Sequence, residues 1–325
     1  ADFLLGKTGI TWDDAVEDRG DVDLLEKSTI EDFKRYAVDR IPSIVRETDL
    51  TTILQKLNLI DNQHLKRAAI MLFGREVQRF YSHACVKIGR FLSDTDIQTT
   101  DIVKGNLFQQ LENTLETLRS KYLQSNIKFE GIHRRDILEY PYEALREAII
   151  NALIHRDYRS FSQIQIRVYV DKLVIMNAGS LPPEVPIESL KTDHLSRPRN
   201  KLLAETFYYA GFIEAWGRGT LKIVEKFIER GLPEPDFKEE YGVMTVIFYK
   251  DKWNEENLKK LGLSARQIKA VMYIKENGKI TNKEYQEIND CSRNTATNDL
   301  RDLIKKHILK ESGKKGAGSY YAIAQ

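Results

Sequence analysis

The spacing of apolar residues along the chain alternates between a helical period and a strand-like period. Leucines recur every three or four residues between positions 106 and 122, and this spacing predicts a long amphipathic helix. Residues 164–170 alternate apolar and polar side chains and predict a strand. A turn at Asp171 and Lys172 leads into a second strand, and residues 243–249 predict another. The pattern therefore predicts a protein of the α+β class.

Residues 263–325 show a different order of elements. Helical spacing covers residues 265–276, a second helix begins near Asn282, and a third follows Ser292, a residue type favoured at the N-cap. A segment rich in glycine and lysine at 312–318 precedes a short apolar stretch at 320–323. Helices followed by a basic hairpin are the order of a winged helix-turn-helix, which we expect here.

The third of these helices has an apolar face and a polar face. Ala296, Leu300, Leu303 and Ile304 share the inner face at helical spacing. Short polar and arginine side chains near a helix N-terminus suit contacts with base edges and phosphates. We therefore expect double-stranded DNA to contact the outer face and the hairpin tip, through Arg293, Asn294, Thr297, Asn298, Arg301, Lys314 and Lys315. A winged helix that contacts only proteins is the alternative.

Charge is distributed unevenly along the chain. Residues 264–325 contain 12 Lys and Arg against 7 Asp and Glu, a net charge of +5. The remainder has 38 against 41, a net charge of −3, and the two parts add up to the +2 of the whole chain. A basic C-terminal segment on a slightly acidic body favours nucleic-acid binding at that end, with a solvated basic surface as the alternative.

The composition excludes several classes of protein. The chain has 325 residues, 42% hydrophobic and 30% charged, which is typical of a folded protein. No stretch approaches the ~18 consecutive apolar residues of a transmembrane helix, so no membrane partner is expected. Cys85 and Cys291 lie far apart, which argues against a disulfide framework or Cys-based zinc site and favours the cytoplasm. Because the chain begins at Ala1 without a signal peptide, we expect a fragment of a longer protein.

Glu147 and Asn151 are the first candidates for chemistry in the central part of the chain. They lie four residues apart and so share one face of a helix opened by Pro141. An amide oxygen can ligate Mg²⁺, and a carboxylate can take a proton from an attacking water. Gly217 and Gly219 precede a further helix, where glycines let backbone N–H groups approach a phosphate. Capping and packing by Glu147 and Asn151 are the alternative.

Several segments between residues 127 and 250 resemble the GHKL (Bergerat-fold) ATPases. More narrowly, they resemble the divergent GHKL-like domain of RecG-related, AlbA-type (Schlafen-like) transcriptional regulators. The resemblance rests on REAIINALIHRDY at 146–158, NAGSLP at 177–182, Arg199–Asn200 and Gly211–Thr220. It implies a central two-layer α/β sandwich between a mixed α/β N-terminal region, in part the remnant of an AlbA-type domain, and the winged helix. We therefore expect domains at 1–126, 127–250 and 263–325, with a linker at 251–262.

The resemblance also implies roles for individual residues. Glu147 would be the general base, and Asn151 would hold Mg²⁺. Asn177 stands where those ATPases place an Asp that accepts a hydrogen bond from the adenine amino group. An amide oxygen can accept the same hydrogen bond without carrying a charge. Adenine and phosphates would be lined by Gly179, Gly217, Gly219 and Thr220, and the expected cofactors are ATP and Mg²⁺.

These observations favour a cytoplasmic, homodimeric DNA-binding transcriptional regulator with an ATP-binding sensor domain. Residues 1–8 resemble a relaxed Walker A motif but lack its glycines, so no helicase motor is expected. A DNA-associated ATPase is one alternative, and a non-catalytic scaffold with a degenerate nucleotide site is another. In HRDY at 155–158, His155 or Arg156 could approach a phosphate, but a helix end with locally paired charges and a packed Tyr158 is favoured.

Overall fold

The chain divides into two compact units, Ala1–Lys250 (unit 1) and Asp251–Gln325 (unit 2). The computed structural model describes residues 10–130, 133–192, 194–214, 217–251, 253, 255–312 and 319–324. Of the expected DNA contacts, Lys314 and Lys315 lie outside the described residues.

Unit 1 contains nine α-helices and ten strands in its described part. The helices are α1 (Lys27–Tyr36), α2 (Pro42–Val45), α3 (Leu50–Lys56), α4 (Arg67–Phe73), α5 (Val77–Phe80), α6 (Leu107–Thr117), α7 (Tyr142–His155), α8 (Lys201–Tyr209) and α9 (Gly219–Glu229). The strands are β1 (Ile60–Asp61), β2 (His64–Leu65), β3 (Val86–Phe91), β4 (Ile97–Val103), β5 (Ser125–Glu130), β6 (His133–Leu138), β7 (Ile164–Val168), β8 (Lys172–Ala178), β9 (Asp236–Glu240) and β10 (Val243–Tyr249).

Six of these strands form one sheet in the order β4-β3-β7-β8-β10-β9. β3 and β7 are parallel, and the other neighbours are antiparallel. Ile88 lies opposite Ile166, and Ile166 lies opposite Ile175, so these buried side chains share one face of the sheet. Helix α7 contacts β8 of the sheet and also contacts the helices α6 and α9. The result is a mixed α+β unit built around a central mixed sheet.

The sheet crosses the domain boundary expected at residues 126 and 127. β3 and β4 come from the N-terminal region, yet β3 pairs with β7 from Val86↔Ile164 to Arg90↔Val168. The contact pattern keeps both sides of that boundary in unit 1. Strand pairing therefore joins the two predicted regions, because β7 lies between β3 of the N-terminal region and β8 of the central region.

Local capping explains where the main helices begin. Asn106 forms a capping box with Gln109 at the start of α6, through a 3.0 Å bond from the Gln109 N–H. The helix predicted to extend to residue 122 continues from Thr117 as one π-helical segment, Leu118–Tyr122. Helix α8 is capped from a distance: buried Asp13 accepts from the Leu203 N–H at 3.0 Å. These caps fix the helices that surround the sheet.

Unit 2 contains α10 (Glu255–Lys260), α11 (Ala265–Asn277), α12 (Asn282–Asn289), α13 (Arg293–Lys305), β11 (Leu309–Glu311) and β12 (Tyr321–Ile323). Ser264 and Thr281 form capping boxes, and the Ser292 hydroxyl caps α13. Its core is separate from that of unit 1 and includes Leu258. The segment expected as a linker thus contains α10 and contributes a buried leucine to unit 2.

Candidate functional site

Helix α7 places Glu147 and Asn151 one turn apart on the same face. The Asn151 amide Nδ2 donates to Glu147 Oε1 at 3.4 Å, and Glu147 is only 6% exposed. Burial raises the pKa of the Glu147 carboxyl, and the positive charges of Lys222 and Arg146 oppose this shift in part. Because Nδ2 faces Glu147, the Asn151 carbonyl oxygen is the atom left to accept or ligate.

The first turn of α9 lies directly against this pair. A Cβ atom added to Gly219 would overlap Glu147 Oε1 and would lie 3.3 Å from Asn151 Nδ2. Gly217, with φ +69°, fits against the backbone carbonyl of His194, where an added Cβ would also overlap. The glycines expected to expose backbone N–H groups to phosphate therefore allow close contact with α7 and with the segment around His194.

Thr220 follows Gly219 and carries a buried hydroxyl. Within the described part of the chain, its Oγ1 has no hydrogen-bond partner. A buried hydroxyl without a partner costs about 1–3 kcal/mol, so Thr220 Oγ1 is free to form a hydrogen bond with a bound group. The Thr220 hydroxyl can donate to a phosphate oxygen, and the amide oxygen of Asn151 can ligate Mg²⁺.

Asn177 and Gly179 lie at the end of β8. Asn177 is buried and shares the core face of the sheet with Ile175. Gly179 has φ +130°, and a Cβ added there would lie 3.1 Å from both Arg199 Nε and the His155 carbonyl oxygen. Only glycine adopts this conformation readily. The end of β8 therefore meets the end of α7 and the side chain of Arg199.

His155, which the sequence suggested only as an alternative phosphate contact, and Arg199, to which it assigned no role, both lie beside Gly179. Burial lowers the pKa of His155 to about 4, and the positive charges of Arg199 and His194 act in the same direction. Arg199 donates to the Ser180 carbonyl at 2.6 Å. His155 is therefore neutral at neutral pH, and Arg199 is the cation nearest to Gly179. No spacing signal in the sequence marks Arg199, because the loop that carries it follows no helical or strand period.

The rest of HRDY has the structural role that the sequence favoured. Arg156 is 1% exposed and donates to the Ser162 carbonyl at 2.9 Å. Asp157 forms an ion pair with Arg159 at 2.9 Å. Tyr158 is buried, and its hydroxyl donates to a backbone carbonyl of α7 at 2.7 Å. These bonds hold the chain as it leaves α7.

The residues present fit a magnesium nucleotide in their chemistry. Among the described residues, no group of three or more His, Cys, Asp or Glu side chains could hold a metal ion. Mg²⁺ commonly takes one or two protein oxygens and completes its shell with substrate phosphates and water. Asn151 can supply one such oxygen, and Glu147 lies beside it. In the arrangement described, Gly219 occupies the space over the Glu147 carboxylate.

A second candidate surface lies on α13 in unit 2. Ala296, Leu300 and Leu303 are fully buried, whereas Arg293, Asn294, Asn298 and Arg301 are exposed. No described carboxylate lies within ion-pair distance of Arg293 or Arg301, in contrast to Arg266, which pairs with Asp299 at 2.9 Å. Thr297 differs from its neighbours, because it is half-buried and its hydroxyl accepts from Asn282 Nδ2 at 3.0 Å. The exposed set is polar and basic.

In the part of the chain that the structure describes, no helix is both long and apolar enough to cross a membrane.

Residues 162–248 match the family described as "Putative ATP-dependent DNA helicase recG C-terminal". A search of curated proteins found no match. The crystal structure of the DIP2311 protein from Corynebacterium diphtheriae is similar with a TM-score of 0.61 and 16% identity, over 99% of this chain and 66% of that chain. The present chain thus spans less than two thirds of that protein, and at this identity the likeness concerns the fold alone.

The family match covers part of the candidate site. Asn177, Gly179, Gly217, Gly219 and Thr220 lie inside residues 162–248, whereas α7, with the Glu147–Asn151 pair, precedes them. Residues 162–248 are therefore similar to an ATPase-type domain of the RecG-related kind, and this stretch contains β7, β8, α8, α9, β9 and most of β10.

Proposed function

We propose that the chain is a DNA-binding transcriptional regulator whose ATPase-type domain binds ATP with Mg²⁺ as a signal. The observation that carries the proposal is the polar face of α13, on which Arg293 and Arg301 are exposed and have no carboxylate partner among the described residues, opposite a buried apolar face. In this proposal residues 263–325 are a winged helix-turn-helix and α13 is the recognition helix. Arg293, Asn294, Asn298 and Arg301 contact DNA directly, Thr297 supports that face, and Lys314 and Lys315 reach the backbone.

The proposed nucleotide site combines residues of α7, β8 and α9. Asn151 would hold Mg²⁺, which supplies positive charge at the phosphates. Asn177 would accept from the base, and the first turn of α9 would donate to phosphate through backbone N–H groups, with Gly179 and Gly217 at the edges of the site. Thr220 Oγ1, buried without a partner in the described chain, supports this placement.

ATP hydrolysis is a second candidate function, favoured by the environment of Glu147. Burial raises the pKa of this carboxyl, which is the direction required of a general base that operates near neutral pH. In this role Glu147 would accept the proton of the attacking water. Loss of turnover in Glu147→Gln, with nucleotide binding retained, would support hydrolysis, whereas turnover equal to that of the wild type would exclude Glu147 as the base.

The regulator is proposed to be a cytoplasmic homodimer. Dimeric DNA-binding proteins read two half-sites, so the distance between their recognition helices controls affinity. Nucleotide binding in unit 1 would change that distance by favouring one of two conformations. The proposal predicts a different DNA affinity with and without saturating ATP and Mg²⁺, and equal affinities would contradict it.

DNA binding is tested by fluorescence anisotropy of the full chain on a short random-sequence duplex at several salt concentrations. Arg293→Ala and Arg301→Ala remove two exposed cations, so the double variant should bind about 10- to 100-fold more weakly. The slope of log affinity against log salt should fall by about 2. Lys259→Ala is the matched control, because Lys259 is exposed and already paired with Glu255 at 2.7 Å. Equal affinities of all variants would refute the assignment of α13.

Nucleotide binding is tested by calorimetric titration of ATP with Mg²⁺ into the full chain. Asn151→Ala should abolish binding if its amide oxygen holds the metal ion. Thr206→Ala is a control, since Thr206 is buried in α8 and its hydroxyl donates to the Leu202 carbonyl at 2.9 Å. Absence of binding by the wild type at about millimolar nucleotide would leave the DNA-binding proposal intact and remove ATP from it.

A further inference from the structure

One edge of the central sheet is a mostly exposed strand. β4 (Ile97–Val103) lies at the end of the strand order and, among the described residues, pairs with β3 alone. Its residues are exposed except for Asp101, which is half-buried, and Val103, which is buried. An edge strand presents unpaired N–H and C=O groups that can pair with another chain. Seven residues of β4 therefore offer a surface for strand addition.

The opposite edge of the same sheet shows how such an edge is protected. β9 has five residues, and four of them are charged, namely Asp236, Lys238, Glu239 and Glu240. Charged side chains on an edge strand oppose pairing with a second chain. β4 contains only one charged residue, Asp101, whose carboxylate already pairs with Lys121 at 2.6 Å.

A bulge gives β4 an apolar outer face. The register with β3 shifts between Arg90 and Phe91, so that Ile97 lies opposite Phe91 and Thr99 lies opposite Arg90. The shift places Ile97 on the same face of the sheet as Thr100 and Ile102. Ile97 is 51% exposed and Ile102 is 50% exposed. The edge thus combines free backbone groups with exposed apolar side chains.

We propose that a second copy of the chain pairs with β4 along this edge, antiparallel, with a two-fold axis through Thr100. Such an axis is normal to the sheet and leaves each side chain on the face that it already occupies. It therefore passes midway between two copies of the same residue, which lie directly opposite each other. With Thr100 on the axis, Thr99 of one copy lies opposite Asp101 of the other. The Asp96 end of each strand then lies beside the Lys104 end of its partner strand, which brings unlike charges together twice.

One neighbouring register, with the axis at Asp101, is disfavoured by charge. An axis through Asp101 would place two carboxylates directly opposite each other, and like charges in cross-strand pairs are destabilising. The Thr100 register therefore has charge complementarity that the Asp101 register lacks. The inference rests on the homodimer of the proposed function and names its interface, but it requires neither nucleotide nor DNA and would stand if both were absent.

A single cysteine on the axis tests the register. Thr100→Cys is made in a Cys291→Ser background, and the buried Cys85 is kept. Directly opposed Cα atoms of an antiparallel pair lie about 4.5–5.5 Å apart, within the span of a disulfide. Mild oxidation of the full chain should therefore produce a covalent dimer.

The control cysteine lies on the same face but off the axis. Two copies of Ile102→Cys would have Cα atoms about 13 Å apart along the strands, too far for a disulfide. They should link instead to Gln98→Cys, which this register places opposite Ile102. Equal self-linking of Thr100→Cys and Ile102→Cys would overturn the register.

The oligomeric state of the full chain tests the surface itself. Sedimentation velocity should show a wild-type dimer, and Thr100→Lys should weaken its dimerisation at least about tenfold, because two ammonium groups would face each other. Thr48→Lys makes the same change on an exposed loop and should leave the dimer intact. A wild-type monomer at about 100 μM, or a dimer that Thr100→Lys leaves unchanged, would refute the proposal. Either result is independent of ATP and DNA titrations.

Discussion

Substitution of Gly219 by alanine tests the close contact between α7 and α9. The added Cβ would overlap Glu147 Oε1 and would lie 3.2 Å from Glu147 Cδ and 3.3 Å from Asn151 Nδ2. Glu147 is 6% exposed, so its carboxylate has little space into which it can move. Overpacking of this kind costs about 1–3 kcal/mol, and the higher helix propensity of alanine offsets up to about 1 kcal/mol.

We therefore expect Gly219→Ala to destabilise unit 1 by about 1–2 kcal/mol, which lowers its Tm by about 2–8 °C. Scanning calorimetry of the full chain measures this shift. Hydrogen exchange in α11–α13 serves as an internal reference, because Gly219 lies in unit 1 and protection of these helices should not change.

A double-mutant cycle identifies the cause. In a Glu147→Ala background the overlapping atoms are gone, so Gly219→Ala should become neutral or slightly stabilising. In a Glu147→Gln background an atom remains at the Oε1 position, so the destabilisation should persist without the charge. If Gly219→Ala costs the same free energy in all three backgrounds, contact with Glu147 does not explain the requirement for glycine at this position.

Three further predictions concern buried titratable groups. Burial raises the pKa of Glu147 above its ordinary 4.5, so the unfolded chain loses this proton first and the wild type should lose stability relative to Glu147→Gln as pH rises above 4.5. Urea unfolding from about pH 4 to 7 measures the difference, and a constant difference would contradict it. His155 has a pKa of about 4 instead of 6.5, so stability should fall as pH drops through this window, with a shallower fall in His155→Gln. Asp13→Ala should cost about 1–3 kcal/mol because the buried Leu203 N–H loses its acceptor, and Asp13→Asn should cost less; equal losses of Tm would argue against the cap.

Elements with local signals are the part of the fold that the sequence predicted well. Residues 243–249 form β10, and Ser292 caps α13; of the predicted inner face, Ala296, Leu300 and Leu303 are fully buried and Ile304 is half-buried. Both outcomes depend on neighbouring residues: alternation sets the strand, and a hydroxyl at the N-cap sets the helix start. The information needed lies within one or two turns of chain.

Pairing between distant strands could not be predicted in the same way. Val86 lies beside Ile164, 78 positions along the chain, and nothing in the alternation of β3 or β7 specifies this partner. The expected boundary at residue 126 followed composition and resemblance, which carry no record of such pairing. Leu258 is a similar case: Trp253, Leu258 and Leu261 are too few in a polar segment to set a clear period, yet Leu258 is buried in the core of unit 2.

The candidate site likewise has one part that local spacing predicts and another part that depends on tertiary packing. The i, i+4 spacing of Glu147 and Asn151 correctly placed both side chains on one face of α7, where they are 3.4 Å apart. Contacts of Gly219 with Glu147 and of Gly179 with Arg199 depend on how α7, α9 and the end of β8 come together. Tertiary packing decides these contacts, and no local motif encodes them.

The contact between Gly219 and Glu147 bears on the affinity of the proposed nucleotide site. Phosphates and Mg²⁺ at Asn151 would need the space over the Glu147 carboxylate that the first turn of α9 occupies. Binding would therefore require this turn to move, and the free energy of breaking the contact would be subtracted from the gross binding energy. A cost of about 1–3 kcal/mol corresponds to about a 5- to 150-fold weaker apparent affinity. Because the same movement separates α7 from α9, it links nucleotide binding to a rearrangement of helices, which is what a sensor domain requires.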